Sequence, residues 1–147
     1  MRFHETETVE LKSIVMDDLK KEIIAFANCD GGTVYVGVAD DGTVLGVENA
    51  DECALQISNM VRDAVKPDVT MFIHYETLDC GGKAVVAVNI QRGTNRPYYL
   101  AKKGLRPEGV YVGCHPCINT SSIRFRTVDL VEKILPAMEH DYIKVKL

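Results

Sequence analysis

The feature that most constrains the fold is the run of residues 23–47, IIAFANCDGGTVYVGVADDGTVLGV. An apolar stretch with helical spacing is interrupted at residues 28–32, and the residues that follow alternate between polar and apolar side chains. Glycine accepts the left-handed backbone conformation that commonly ends a helix. We therefore predict a helix that ends near Asn28, a turn at the diglycine, and a strand that leads into an Asp-Gly hairpin.

The diglycine does not have the context of a phosphate-binding loop. Such loops place their glycines between a strand and the N-terminus of the next helix, where backbone N–H groups attract an anion. Here Gly31 and Gly32 follow the C-terminus of the predicted helix, whose partial negative charge disfavours phosphate. We therefore predict a structural turn, and Asp40 and Asp41 likewise suit a hairpin turn better than a ligand role.

Helix and strand patterns fill the remainder of the chain. Strands are predicted at residues 8–11, 69–78, 83–91, 96–101 and 109–113, one helix follows Asn49 as its cap and ends before Pro67, and a last helix is capped by Thr127. This order is not a regular β-α-β alternation. We predict one domain over residues 1–147, with an α+β fold in which a mixed, mostly antiparallel sheet packs with about three helices.

Two features of composition indicate a cytoplasmic protein. No apolar run approaches the roughly 18 residues that a membrane span needs, so we expect no membrane segment. The five cysteines are an odd number, which suits free thiols in a reducing compartment better than a disulfide framework.

Charge is strongly segregated along the chain, although the net charge is only -4. Residues 1–82 hold 6 Lys or Arg against 16 Asp or Glu, whereas residues 83–126 hold 8 against one acid, Glu108. Lys and Arg contact phosphates, and tyrosines stack on exposed bases. If these side chains gather on one face, they form a nucleic-acid surface, and the alternative is a solvated basic surface. The candidate residues are Lys83, Arg92, Arg96, Lys102, Lys103, Arg106, Arg124, Arg126, Tyr98 and Tyr99.

Several motifs resemble a known family. ETETVELK at residues 5–12 and EIIAFANCDGGTVYVGVADDGTVLGV at residues 22–47, with RPYYL and EGVYV further along, resemble the Schlafen-type, Alba-like nucleic-acid-binding domains of bacterial transcriptional regulators. The resemblance implies a compact α+β domain that binds DNA or RNA, often as a dimer. On this basis we expect a DNA-binding regulatory domain that acts as a homodimer and needs no cofactor.

The same resemblance implies an alternative function, a metal-dependent nuclease. Some Schlafen proteins cleave RNA through three acidic residues, and Glu5 and Glu10 keep the spacing of the first two. Asp40 is the nearest match to the third, although Ala39 occupies the position of the usual first acid of that turn. Converging carboxylates suit Mg or Mn, which prefer oxygen ligands. A solvated acidic N-terminus would give the same pattern.

A final motif is the CxxC formed by Cys114 and Cys117 with His115 between them. These residues offer two or three zinc ligands, and His74 or Cys80 would complete a tetrahedral set. A single CxxC is also typical of buried thiols, which we favour here. The stretch GCHPCINTSS stands where the resembled family often continues with an Arg-x-Gly segment, so the usual role of that loop does not carry over.

Overall fold

The computed structural model describes residues 3–113, 117–123 and 126–135 of the chain. The strands are β1 Val9–Lys12, β2 Gly32–Val36, β3 Val65–Lys66, β4 Ile73–Cys80, β5 Lys83–Ile90, β6 Tyr99–Leu100, β7 Tyr111–Val112 and β8 Ile118–Asn119. The helices are α1 Leu19–Asn28, α2 Ala50–Ala64 and α3 Thr127–Asp129, the last of which continues as a π-helical segment over Leu130–Ile134.

The main sheet has the strand order β1-β2-β5-β4. β1 runs parallel to β2, with Glu10 opposite Val34, and the other two pairings are antiparallel. Two small antiparallel pairs, β3 with β6 and β7 with β8, lie outside this sheet. The predicted α+β class, with three helices and a mixed, mostly antiparallel sheet, is confirmed.

The main core lies between the sheet and the helices α1 and α2. Ile23 and Phe26 of α1 are fully buried against Val34 and Val36 of β2. A smaller cluster that includes Leu11 packs on the opposite face of the sheet. Because side chains of a strand alternate between faces, Glu10 lies on the face that the helices cover.

The predicted turn between α1 and β2 is confirmed. Gly31 has a φ of 84°, and a Cβ at this position would lie 2.5 Å from the carbonyl oxygen of Ile90. The N–H of Gly31 donates to the carbonyl of Phe26 at 2.9 Å, which closes the helix end. Only glycine combines this conformation with such a close approach to the neighbouring strand.

The predicted hairpin at residues 39–43 is present, but its returning strand is reduced to isolated bridges. Ala39 N–H donates to the carbonyl of Thr43 at 2.8 Å, and beyond the turn only Val44 and Val47 form bridges. Gly37 and Gly46 both have positive φ, which interrupts the extended backbone that a continuous strand requires.

One of the two predicted helix caps is correct. The side chain of Asn49 accepts a hydrogen bond from the N–H of Glu52 at 3.1 Å, as an N-cap should. Thr127 is instead the first residue of α3, and Arg126 holds the cap position without a side-chain capping hydrogen bond. The predicted continuation of this helix beyond residue 135 lies outside the described residues. No helix within those residues is long and apolar enough to cross a bilayer.

Asn28, the last residue of α1, joins two later segments to the helix. Its side chain is 1% exposed. The amide oxygen accepts from the N–H of Tyr98 at 2.7 Å, and the amide nitrogen donates to the carbonyls of Tyr98 at 3.0 Å and Tyr111 at 2.9 Å. We call this arrangement the Asn28 clamp. It fixes the paths by which the chain reaches β6 and β7.

The loop of residues 92–98 wraps around the side chain of Tyr98, which is fully buried. A Cβ on Gly93 would lie 2.1 Å from the tyrosine ring, so only glycine leaves room for it. The hydroxyl of Tyr98 accepts from the N–H of Asn95 at 3.1 Å. The expectation that Tyr98 stacks on a base is therefore wrong, because this ring is the anchor of the loop.

Replacement of Asn28 should destabilise the fold strongly. In Asn28→Asp the carboxylate can still accept from Tyr98 N–H, but it faces two carbonyls that have lost their donor. We expect both Asn28→Asp and Asn28→Ala to lower the free energy of unfolding by about 2 to 4 kcal/mol, measured by urea denaturation. Asn95→Ala, which removes an exposed amide from the same loop, is the matched control. An Asn28→Ala protein as stable as the control would contradict the role of the clamp.

Candidate nucleic-acid interface

Two of the predicted basic residues meet at the C-terminal end of α1. Arg92 is exposed and Arg96 is half-buried, and Arg96 donates from Nη1 to the carbonyl of Asn28 at 3.4 Å. Both arginines act on the thiol of Cys29, the residue after the helix, whose pKa is raised mainly by burial and lowered in part by these two charges. We call Arg92 and Arg96 the arginine pair. The negative charge of Asp30 raises the pKa of the same thiol.

A second basic group surrounds a cavity of about 650 Å³ between α1, α2 and the turn after β6. Lys102 and Lys103 come from that turn, and Lys20 and Lys21 come from α1. We call this cavity the lysine pocket. Sequence reasoning missed Lys20 and Lys21 because they belong to residues 1–82, and the charge counted over that segment is strongly negative.

Backbone hydrogen bonds hold the turn that carries Lys102 and Lys103. Ala101 N–H donates to the carbonyl of Ala64 at 2.8 Å, which ties the turn to the end of α2. Gly104 N–H donates to the carbonyl of Leu100 at 3.0 Å and closes the turn. Both lysine side chains are exposed. The positions of their backbones are therefore set by the fold, whereas their ammonium groups reach into solvent.

Of the other predicted basic residues that the structure describes, Lys83 lies far from the arginine pair and Arg126 is engaged by an acid. Lys83 begins β5, whereas Arg92 follows its end, so the strand separates them by about 26 Å. Arg126 forms an ion pair with Asp129 at 3.2 Å, Arg106 is exposed on the loop before Pro107–Gly109, and Arg124 lies outside the described residues. The ring of Tyr99 is half-buried against a side cluster of the core. The expectation of one common basic surface is therefore wrong for Lys83, which lies at the opposite end of the sheet from Arg92.

The two acidic residues at the N-terminus are in contact. A tight turn, in which Thr6 N–H donates to the carbonyl of Val9 at 3.0 Å, folds the first residues back along β1. A side-chain hydrogen bond joins Glu5 to Glu10, and Glu10 is only 8% exposed. The ammonium of Lys12 lies 3.9 Å from the Glu10 carboxyl group.

This environment keeps Glu10 protonated at neutral pH. Burial, the hydrogen bond that Glu10 donates to Glu5 and the negative charges of Glu22 and Glu5 raise the pKa of Glu10 to about 8, against a smaller opposing effect of Lys12. Two carboxyl groups in contact repel each other strongly when both are charged, so a proton on Glu10 is favoured. The pair can therefore hold or transfer a proton near neutral pH.

Asp40 is exposed in the turn of the hairpin. A Cβ on Gly42 of this turn would lie 2.3 Å from the carbonyl oxygen of Phe3, so the turn packs on the N-terminal segment two residues before Glu5. The turn that carries Asp40 therefore packs on the same N-terminal segment as Glu5. Across the described residues, however, no three His, Cys, Asp or Glu side chains are grouped closely enough to hold a metal ion.

Glu22 and Cys117 complete the surroundings of Glu10. Burial raises the pKa of the Cys117 thiol, and the charges of Glu22 and Glu10 raise it further. The thiol lies 3.6 Å from the carbonyl oxygen of Lys21 and donates a hydrogen bond to it. Sequence reasoning missed Glu22, because helical periodicity identifies the apolar face of α1 and does not show which strand residue lies beside its polar positions.

The predicted zinc ligands are only partly described. Cys114 and His115 lie outside the described residues. Cys80 packs on the face of the sheet opposite α1, whereas Cys117 packs with the core on the helix face. His74 lies on the same face of β4 as Cys80, by the alternation of the strand. The sheet therefore separates both proposed completing ligands from Cys117, and that part of the expectation is wrong.

The Glu10→Gln substitution should remove a pH dependence of stability. Glu10 binds a proton more tightly in the folded chain than in the unfolded chain. Its contribution to the free energy of unfolding is therefore complete below about pH 4.5 and is lost as the pH rises through about 8. Glutamine keeps a donor toward Glu5 and does not ionise. We expect the free energy of unfolding of Glu10→Gln, relative to the parent chain, to increase as the pH rises between these values.

The measurement is urea denaturation of both proteins at several pH values, because groups that titrate equally in both cancel in the difference. Glu7→Gln, an exposed acid in the turn before β1, is the control and should run parallel to the parent chain. Parallel curves for Glu10→Gln as well would show that Glu10 has an ordinary pKa.

Solved structures with this fold include two bacterial proteins. The N-terminal domain of a RecG-related protein from Nitrosomonas europaea is 23% identical, covers 67% of this chain and 72% of its own, and gives a TM-score of 0.56. The DIP2311 protein from Corynebacterium diphtheriae is 18% identical, covers 80% of this chain and gives a TM-score of 0.57. This chain spans only 23% of DIP2311. At these identities the likeness concerns the fold alone.

Sequence comparison gives the family. Curated protein sequences give no significant match. The family model described as Schlafen, AlbA_2 matches residues 5–115. That range contains Glu5 and Glu10, the Asn28 clamp, the arginine pair and all four lysines of the lysine pocket. Because the match extends over well more than half of its length, the chain belongs to the Schlafen AlbA_2 family.

Proposed function

We propose that this chain is a nucleic-acid-binding regulatory domain that contacts the phosphates of DNA through the arginine pair. The observation that carries the proposal is the Asn28 clamp with the buried Tyr98, which together hold Arg92 and Arg96 at one end of α1. Membership in the Schlafen AlbA_2 family supports a nucleic-acid-related role. The proposal includes action in the cytoplasm, in transcription regulation, and as a homodimer, which would double the number of phosphate contacts.

An ordered loop is favourable for binding. Binding costs less free energy when the contacting side chains are carried by a segment that is already fixed. Arg presents a planar fork of donors that matches phosphate oxygens, so two neighbouring arginines suit successive backbone phosphates. The acidic remainder of the molecule repels a polyanion, which favours approaches that lead to the basic side.

Salt dependence tests this proposal. Each phosphate contact contributes about 0.9 to the slope of log K against log salt for duplex DNA and about 0.7 for single strands. We expect the double variant R92A/R96A to lower the steepness of that slope by about 1.4 to 1.8 and to weaken binding at every salt concentration. Fluorescence anisotropy with labelled single- and double-stranded DNA and RNA would measure it.

The control is R62A/K83A, which removes the same charge from α2 and from the start of β5. This variant should keep the slope of the parent chain within about 0.5, since neither residue belongs to the proposed contact surface. Equal losses in both double variants would indicate a non-specific effect of net charge. Absence of binding to all four nucleic acids at low salt would refute the proposal.

A second function is favoured by the contact between Glu5 and Glu10. Two carboxylates in contact fit a Mg or Mn ion whose other ligands are water and substrate phosphate. Such an ion supplies a polarised phosphoryl oxygen and an activated water for cleavage of a phosphodiester. In this reading Asp40 is the third acidic residue, placed in a turn that packs beside the same N-terminal segment. The family resemblance supports a nuclease of this kind.

Cleavage assays distinguish this function from binding alone. Labelled RNA and DNA would be incubated with Mn²⁺ or Mg²⁺, and Glu10→Ala should reduce cleavage by about 100-fold or more if the carboxylate pair is catalytic. Glu7→Ala, in the turn between the two glutamates, should leave it unchanged. Asp40→Asn tests the third position separately. Equal residual cleavage by the parent chain and Glu10→Ala would identify a contaminant.

A further inference from the structure

The lysine pocket combines a cationic rim with an apolar floor. Its volume of about 650 Å³ lies within the range of small-molecule sites in proteins. Lys102 and Lys103 reach over it from the turn after β6, and Lys20 and Lys21 face them from α1. This cationic rim favours an anionic ligand, because its positive charges interact with the same negative charge.

The floor differs from the rim in chemistry. Met60, Ala64 and Leu100 line the cavity, and Leu100 is only 5% exposed. An adaptable Met side chain beside two other apolar groups offers a surface for a flat ring. Inorganic phosphate would use the rim and leave this floor in contact with water. The ligand should therefore carry an apolar or aromatic part in addition to its charge.

Two carboxylates also line the pocket and limit its charge. The Asp17 carboxylate already lies 3.1 Å from the ammonium of Lys20, and Asp63 lies 3.8 Å from Arg62. The Lys21 ammonium likewise lies 3.2 Å from the Asp18 carboxylate, so Lys102 and Lys103 supply most of the positive charge that is left for a ligand. The carboxylates are acceptors for hydroxyl or amino groups, which a sugar or a base carries and a simple aliphatic anion does not.

We propose that the lysine pocket binds a nucleotide, with its phosphates at the lysine rim and its base on the floor of Met60, Ala64 and Leu100. The nucleotide is either free in solution or the phosphorylated end of a strand, since the chemistry is the same. The Lys20 side chain is 20% exposed, so it contributes a charge already held in the wall by Asp17. Lys102 and Lys103 are exposed, and their ammonium groups approach the phosphates from the solvent side. This site does not use the arginine pair.

Calorimetric titration of the full chain tests the proposal. ATP and ADP represent the free nucleotide, a 5′-phosphorylated dinucleotide represents a strand end, and adenosine and tripolyphosphate each carry one half of the chemistry. We expect ATP to bind more tightly than adenosine or tripolyphosphate. The variant K102A/K103A should weaken the binding of ATP by about tenfold or more. A stronger response to the dinucleotide than to ADP would assign the site to strand ends, and the reverse order would assign it to free nucleotides.

Variants that test the floor and the rim separately keep the outcome clear. Met60→Ser removes apolar surface beside the base position without adding a charge and should weaken the binding of ATP and adenosine more than that of tripolyphosphate. K83A and R92A/R96A should leave ATP affinity unchanged, so failure of the proposed DNA surface and failure of this site give different results. Circular dichroism confirms that each variant is folded. Absence of ATP binding, equal affinity for ATP and tripolyphosphate, or an unchanged affinity in K102A/K103A would overturn the proposal.

Discussion

The three hydrogen bonds of Asn28 are the contacts on which the functional surface depends. A buried side-chain amide is costly unless its donors and acceptor are satisfied, so this residue fixes its partners within a narrow range of positions. Those partners are Tyr98, which immediately precedes β6, and Tyr111 of β7, both far from α1 in sequence. The clamp therefore fixes two segments relative to the end of α1. One is the loop that carries the arginine pair, and the other is the start of the segment that leads to Lys102 and Lys103.

The same helix organises the acidic group. Along α1, Lys20 and Lys21 line the lysine pocket, and the charge of Glu22 raises the pKa of Glu10. At the end of the helix, Asn28 holds the loop of the arginine pair. Lys20, Lys21 and Glu22 lie in the half-buried first part of the helix, whereas Asn28 lies in its second part, where every residue from Ile23 onward is buried. One helix therefore positions groups of opposite charge.

The sequence predicts the elements of this fold better than it predicts the site. Helical spacing and positive-φ glycines have local causes, so α1, the turn at Gly31 and the Asn49 cap are all correct. The site depends on contacts between distant segments. Tyr98 looks like a stacking aromatic beside Arg96, and only the clamp and Gly93 show that its ring is buried. Lys83 falls within the basic segment, yet an intervening strand carries it to the other end of the sheet.

The protonation of Glu10 connects the two proposed functions. The charges of Glu22 and Glu10 raise the pKa of the Cys117 thiol, and the arginine pair lowers that of the Cys29 thiol. A proton on Glu10 removes one negative charge from the molecule and reduces the repulsion of a polyanion. A divalent cation would displace that proton, since metal ligands must be deprotonated. Nucleic-acid binding without cleavage therefore favours the protonated carboxyl pair, and metal-dependent cleavage requires its ionised form.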